Sequence, residues 1–267
     1  PLSDEGSGDF PINPEGGIGL LLKSVLGDET VNQPETDVNE HVFTPADTLP
    51  SLAVEVGRDT DAVRHVGVGT DALELSHSGE EGALTGSADF VASGPDPDIT
   101  AATPSYSDLR NLRFNDAAIM FGGTDRTPDV QELTVSMERN ITPNHRGDRE
   151  ASKMDLGERV FTATATLDFE NTELFELFLG EADATELQPT LANAAVNVVW
   201  TSPESIAETS TPFSLEVDMP TCSVNTHEAN INQNDAVAEN VEFRAIVDDS
   251  LGSEIEATLT NGVADVY

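Results

Sequence analysis

Residues 160–169 alternate between two kinds of side chain, and this pattern constrains the fold more than any other stretch. The odd positions carry the apolar residues Phe161, Ala163, Ala165, Leu167 and Phe169, and the even positions carry Val160, Thr162, Thr164, Thr166 and Asp168. Successive side chains of a β-strand point to opposite faces of the sheet. The period of two therefore predicts a half-buried strand with one face in the core and the other facing water.

A short helix is predicted directly after this strand. Asn171 or Thr172 can cap its N-terminus, Glu173 and Glu176 in its first turn match the helix dipole, and Gly180 ends it. Its apolar residues are Leu174, Phe175, Leu177 and Phe178. We expect a strand that runs straight into a docking helix.

An earlier stretch repeats this pattern, because residues 84–90 align position by position with 163–169 and both end in Asp-Phe. Each stretch follows another alternating strand, at 72–76 and at 131–137, so each reads as the second arm of a hairpin. The chain therefore carries either two related hairpins or two ordinary strands that share the alternation and Thr content typical of sheets. The second hairpin has a long loop, residues 140–158.

The remaining chain reads as strand after strand. Residues 1–17 are rich in Gly, Pro, Asp and Ser and predict an extended arm that needs a partner to be ordered. A helix from Ile18 is stopped by Gly27. Further strands are predicted at 41–45, 51–57, 63–68, 113–121, 195–200, 213–217, 241–247 and 255–260. A linker at 93–104 divides residues 40–95 from 105–267 as two halves of a pseudo-repeat.

This order of elements predicts the fold class. Strands follow strands with only one or two short flanking helices, which favours a mainly β, antiparallel sandwich or barrel over a βαβ fold. One β domain over 18–267 is compatible with the length, since all-β domains often exceed the usual domain size.

Charge is the unusual quantity. The chain has 50 acidic and 12 basic residues and a formal net charge of −38. Such an excess makes a folded chain repel itself in dilute buffer, whereas in molar salt the Debye length falls to about 3 Å and the repulsion is screened. The acids are scattered among apolar residues, which favours a halophile's protein over a disordered acidic tail or a nucleic-acid mimic.

The few cations are concentrated in the long loop. Five of the twelve lie in or beside it: Arg139, Arg146, Arg149, Lys153 and Arg159. In so acidic a protein, this loop is a candidate for docking on the acidic surface of another copy, since Arg suits paired contacts with carboxylates. The alternative is a solvated loop whose arginines pair locally with Asp148, Glu150 and Asp155.

No pattern of catalytic or ligand-binding residues stands out. The histidines are scattered, and Cys222 with His227 lacks the two further ligands of a structural zinc site. Nucleotide-binding and nucleophile-elbow motifs are absent from the sequence. No apolar run approaches the roughly 18 residues of a membrane span. We therefore expect no enzyme activity, no cofactor, no metal site and no membrane partner.

The order of these patterns resembles the major tail proteins, or tail-tube proteins, of tailed viruses. The similarity lies in residues 40–45 with 49–57, 72–76 with 84–90, 114–123, 133–137, and 167–169 with the helix at 173–179. It covers most of the chain from Ile18 onward, and no single motif is diagnostic. The extreme acidity departs from the family and suggests a virus of a salt-loving host.

The resemblance implies a β-sandwich or barrel that forms hexameric rings stacked into a tube for genome delivery. It implies hairpin strands joined across subunits into an inner barrel, with unpaired hairpin edges closed by neighbours. Two sets of residues would face the lumen: Thr162, Thr164, Thr166 and Asp168, or their counterparts Thr85, Ser87 and Asp89.

The partners that the resemblance implies are other copies of the chain, a tape measure protein and a terminator protein. DNA would pass through the tube without adhering. The location would be the virion tail, assembled in the host cytoplasm. The competing interpretation is an extracellular β-sandwich binding module from the surface of a halophile.

Overall fold

A computed structural model describes residues 4–57, 61–78, 82–96, 99–100, 102–181, 183–189, 192–230 and 237–267. The strands are β1 Glu5–Pro11, β2 Gly27–Glu35, β3 Val38–Pro45, β4 Leu52–Gly57, β5 Ala62–Ser78, β6 Thr85–Val91, β7 Gly94–Asp96, β8 Ala117–Phe121, β9 Thr124–Asp125, β10 Val130–Glu138, β11 Thr142–Asn144, β12 Lys153–Asp155, β13 Val160–Asp168, β14 Asn193–Ser205, β15 Pro212–Asn230, β16 Ala238–Ala245 and β17 Glu256–Asn261. The helices are α1 Ile18–Leu26, α2 Glu173–Leu179 and a 3₁₀ turn at Phe114–Asp116.

Fifteen strands form one sheet, whose main path runs β1-β6-β5-β10-β13-β16-β15-β14-β8-β9. β17 pairs with β15 and β3, and β2 pairs with β3. The short strands β11 and β12 form a separate hairpin within the long loop. The paired strands run antiparallel and two short helices flank them, which confirms the predicted fold class.

The two predicted hairpins form and lie side by side. β5 pairs with β6, and β10 pairs with β13. β5 also pairs with β10, so that Val135 lies opposite Leu75 on one side and Ala163 on the other. The two hairpins thus make four adjacent strands, β6-β5-β10-β13, within one chain.

The expectation that the hairpin edges are open in a single copy is wrong. The outer edge of β6 is paired with β1 through seven residue pairs, from Glu5 opposite Val91 to Pro11 opposite Thr85. The outer edge of β13 is paired with β16. The arm at 1–17 is therefore ordered within its own chain over residues 5–11, because the open edge of β6 supplies backbone partners.

The two proposed halves of the chain share one sheet. β3, from the first half, pairs with β17 from the second, and β5 pairs with β10. The linker at 93–104 therefore does not separate two folded units in the described part of the chain. Whether the hairpins descend from a repeat stays a prediction.

The alternation in β13 sorts its residues as predicted. Phe161, Ala163, Ala165 and Leu167 are buried, whereas Thr164 and Asp168 are exposed. Phe169 departs from the pattern, because the strand ends at Asp168 and the Phe169 side chain is left 39% exposed.

The predicted helix ends are also confirmed. Gly27 (φ 107°) and Gly180 (φ 107°) end α1 and α2 in a backbone conformation that favours glycine. The Asn171 side chain accepts a 3.0 Å hydrogen bond from the Glu173 amide at the start of α2.

Candidate polar sheet face and cationic loop

The residues that the sequence predicted to face a lumen lie on one continuous face of the four-strand unit. Residues paired across an antiparallel ladder point to the same side of the sheet. One row runs Thr85, Ser76, Thr134, Thr164, and the next runs Ser87, Glu74, Ser136, Thr162. The two predicted sets are thus neighbours on the same surface, and the opposite face is buried core that includes Leu75 and Val135.

We call this surface the polar face. It comprises Thr85, Ser87, Asp89, Glu74, Ser76, Glu132, Thr134, Ser136, Glu138, Thr162, Thr164, Thr166 and Asp168, with the apolar residues Ala72 and Val160 on the same side. Most of its side chains carry hydroxyl or carboxylate groups, and Ser136 is buried among its neighbours. None of these positions carries Lys or Arg.

Hydrogen bonds hold three of its side chains, including that of Thr85, whose Oγ1 donates to the Ala83 carbonyl at 3.4 Å. Gln131 Nε2 donates to Asp168 Oδ1 at 2.6 Å, and Thr166 Oγ1 donates to Asn240 Oδ1 at 2.8 Å. The cation nearest in register is Arg244 on β16, which lies opposite Thr162. Its Nη2 donates to Glu158 Oε1 at 2.7 Å, which offsets its charge.

Arg139 was predicted as one of the docking cations, but the residue is only 2% exposed and is therefore unsuited to contact another copy. Its Nη2 donates to the Ala46 carbonyl at 2.8 Å, and burial lowers the pKa of the guanidinium from its ordinary value. Arg139 continues the core-facing series of Met137 and Val135 along β10, which explains its burial.

Two further members of the set are already paired. Arg159 Nη2 lies 3.2 Å from Glu254 Oε1 and its Nη1 lies 3.7 Å from Asp47 Oδ1. Lys153 forms a short ion pair with Asp155, two residues further along β12.

Arg146 and Arg149 form the cationic tip of the β11–β12 hairpin. Both are exposed, and neither forms an ion pair with the residues that the structure describes. Arg146 (φ 40°) and Gly147 (φ 94°) make a left-handed turn, and His145 Nδ1 lies 3.1 Å from the Arg149 carbonyl. The Ala151 amide donates to the Ser93 carbonyl at 2.9 Å and ties the loop to the sheet.

Three histidine side chains, those of His41, His77 and His227, are buried, and the sequence analysis did not anticipate this. His77 is 3% exposed, packs 4.5 Å from Phe114 between ring centroids, and neither ring nitrogen has a hydrogen-bond partner in the described structure. Burial lowers the pKa of His77 to about 4. His77 follows Leu73 and Leu75 at alternate positions of β5, all of which are buried. Its place in this alternation is the sequence signal that indicates its burial.

His227 on β15 contacts both α2 and the neighbouring strand β16, and so links the helix to the sheet. Its Nε2 forms a short ion pair with Glu239, and both side chains are almost fully buried. The rings of Phe175 and Phe178 from α2 lie 5.2 and 6.1 Å from the imidazole. A histidine ring between a carboxylate and two aromatic rings thus serves packing here.

Across the described ranges, no group of three or more His, Cys, Asp or Glu side chains is arranged to hold a metal ion. Cys222 is buried, and burial raises the pKa of its thiol to about 12, so the thiolate that binds metals or reacts is not formed at neutral pH. In the same ranges no helix is long and apolar enough to cross a membrane.

The fold defines a mainly β, antiparallel protein built around one large sheet. Residues 2–245 match the family described as phage tail tube protein, and the chain belongs to that family. This confirms the resemblance seen in the sequence and supports a structural role in the virion tail. No curated protein matches the chain at a significant level.

Proposed function

We propose that this protein forms hexameric rings that stack into the tail tube, and that the polar face lines the bore through which the genome passes. The observation that carries the proposal is the polar face itself: four adjacent strands whose outward residues include no cation. The core lies behind these strands, so the face is available to line a channel.

The dimensions suit such a channel. Adjacent strands lie about 4.8 Å apart, so the four strands of the polar face from each of six copies give a circumference of at least roughly 115 Å and a backbone diameter of at least roughly 37 Å before strand tilt. A β1 strand at the outer edge of each β6 adds to both values. Side chains from opposite walls then leave space for a DNA duplex. Hydroxyl groups such as those of Thr134 and Thr164 are short enough to keep that space open.

The charge of the face suits passage without adhesion. Proteins bind DNA chiefly when Lys and Arg neutralise phosphates and release counterions. Carboxylates such as Glu74 and Glu132 instead repel phosphates, and hydroxyl groups bind them weakly. DNA and a tape measure protein therefore pass along a wall that offers no strong ionic contacts.

Ring stacking uses the tip of the β11–β12 hairpin. Arg146 and Arg149 are the exposed cations there without an ion pair to any described residue, in a subunit whose net charge is −38. Each guanidinium can make two parallel hydrogen bonds to one carboxylate on the next ring. The terminator protein meets the same kind of surface at the last ring.

The acidity fits assembly in concentrated salt. Copies that each carry −38 repel one another strongly in dilute buffer, and molar salt screens that repulsion. We infer a virus of a halophilic host, with assembly in the host cytoplasm.

Electron microscopy of the purified protein in molar salt tests the proposal. Rings or tubes with six-fold symmetry are expected. Monomers that persist at high concentration and in molar salt would contradict it and would favour a surface-binding module.

The docking role of the loop is tested by Arg149→Glu against Arg113→Glu, since Arg113 is also exposed and the charge change is the same. Arg149→Glu is expected to leave single rings or short tubes, whereas the control forms long tubes. Equal tube lengths for the two variants would show that the loop does not dock rings.

A further inference from the structure

β1 buries few side chains along most of its length, although it covers the edge of β6, a strand of the polar face. Its sheet-core positions are Gly6, Gly8 and Phe10, which lie opposite Phe90, Ala88 and Gly86. A Cβ added to Gly6 or Gly8 would meet nothing within 4 Å. A pocket of about 230 Å³ lies beneath these glycines and is lined by the apolar residues Val54, Val56, Val68, Phe90 and Ala92.

Ordering such a strand is costly compared with what it buries. Fixing each residue costs about 1–2 kcal/mol of backbone entropy, and glycine loses more freedom than any other residue. The ion pair between Asp4 and His65 at the far end, 2.9 Å long and partly exposed, adds at most about 1 kcal/mol.

One side chain gives β1 its specificity. The ring of Phe10 lies directly over Gly86, where an added Cβ would approach the ring to 2.5 Å. The strands can come this close only because Gly86 has no side chain. We call the space left by the missing side chain of Gly86 the notch. Phe10 in this notch fixes the register of β1 on β6.

Attachment changes abruptly at Ile12. The Ile12 amide donates to the Leu84 carbonyl at 2.9 Å, its carbonyl accepts from the Leu112 amide at 2.9 Å, and its side chain is fully buried. Pro11, immediately before it, lies at a position of the ladder whose nitrogen faces the open edge of the sheet, so it takes no backbone bond from β6. Exchange requires residues 5–11 to leave β6 while Ile12 stays anchored.

We propose that β1 is exchanged between neighbouring copies in the ring, so that residues 5–11 of one copy pair with β6 of the next. The inference rests on the proposed ring. A swapped strand makes the same contacts as in the free subunit, so exchange costs little, and each copy gives one strand and receives one around a closed ring. Seven extended residues span about 23 Å, which sets the reach of the arm from Pro11.

With β1 exchanged, neighbouring subunits are joined by backbone hydrogen bonds, which is the kind of contact that the resemblance implies. In the free subunit β1 protects the edge of β6 from unplanned pairing with other chains. In the ring the same edge receives the neighbour's β1, and the notch at Gly86 accepts the neighbour's Phe10. The partner of this edge is thus a second copy of this chain.

Disulfide trapping between two singly substituted chains tests the exchange. Ser7 and Asp89 are Cα partners on the polar side of the ladder, at a separation that a disulfide can bridge. Ser7→Cys and Asp89→Cys chains are mixed, assembled in molar salt, oxidised and run on a non-reducing gel. Because each chain carries one introduced thiol, a bond between them requires that β1 of one chain lies on β6 of the other.

Disulfide-linked dimers from the mixed tubes are expected, with at least ten times the yield of a control mixture of Ser7→Cys and Thr85→Cys. Thr85 lies on the same face but pairs with Pro11, about 13 Å along the strand from the partner of Ser7. Cys222 is buried and does not compete.

Tubes that form without dimers above the control level would overturn the exchange and leave the ring intact. Absence of tubes would instead contradict the ring, and with it the exchange. A double variant with Ser7→Cys and Asp89→Cys in one chain shows the free state, since oxidation before assembly is expected to close the bond within that chain.

Discussion

The buried, unpartnered imidazole of His77 makes the stability of the subunit depend on pH in a calculable way. Burial lowers its pKa from 6.5 to about 4. As pH falls below 6.5 the unfolded chain binds a proton at this residue before the folded chain does. Stability from the neutral ring is therefore fully present above pH 6.5 and is lost as pH falls toward 4.

The magnitude follows from the shift. Each unit of pKa difference is worth about 1.4 kcal/mol, so the loss at pH 4.5 is roughly 2–3 kcal/mol relative to pH 7.5. His77→Leu removes this term. At pH 7.5 the variant is expected to be as stable as the parent or more stable, because two ring nitrogens without partners are replaced by apolar atoms.

The assay is urea unfolding followed by circular dichroism in molar salt at pH 7.5 and pH 4.5. The carboxylates titrate in both proteins, so the difference between parent and variant isolates His77. Between the two pH values the variant is expected to lose roughly 2–3 kcal/mol less than the parent. His145→Leu, in the long loop, is the control. Equal losses for the parent and His77→Leu would refute the reasoning.

Three further predictions concern the surfaces and the salt dependence. Thr164→Lys on the polar face is expected to make assembled tubes retain DNA, with an affinity that falls steeply as salt rises. Thr30→Lys on β2, which is also exposed, should not retain DNA. Equal retention by both variants would mean that the polar face does not line the bore. Gly86→Val is expected to displace Phe10 and raise hydrogen exchange in residues 5–11 at least tenfold, whereas unchanged exchange would mean that Phe10 does not hold β1. Transfer from molar to low salt is expected to dissociate or unfold the protein, and unchanged circular dichroism and size would count against a halophilic origin.

The regular parts of the fold were predictable because local chemistry decides them. The alternation in 160–168 set the buried face of β13, and Gly27 and Gly180 set the ends of the helices. The sequence did not predict that the two hairpins share one face. That arrangement depends on the pairing of β5 with β10, two strands that are distant in sequence. No local pattern carries that information.

The missed features have physical reasons. β1 was not predicted as a strand because Gly6 and Gly8 occupy its apolar positions and hide the alternation. Arg139 was grouped with the loop cations because of its charge, and its place in the alternation of β10 was not considered. Its place in the core-facing series with Met137 indicates burial, and the long apolar stem of arginine makes that burial tolerable.

The central claim is that the polar face lines the bore of a tube. A cryo-electron microscopy map of tubes assembled in molar salt tests it most directly. The account predicts six copies per ring, with Thr85 and Ser87 beside Thr162 and Thr164 on the inner wall. A map with these four side chains on the outer surface, or between stacked rings, would contradict it.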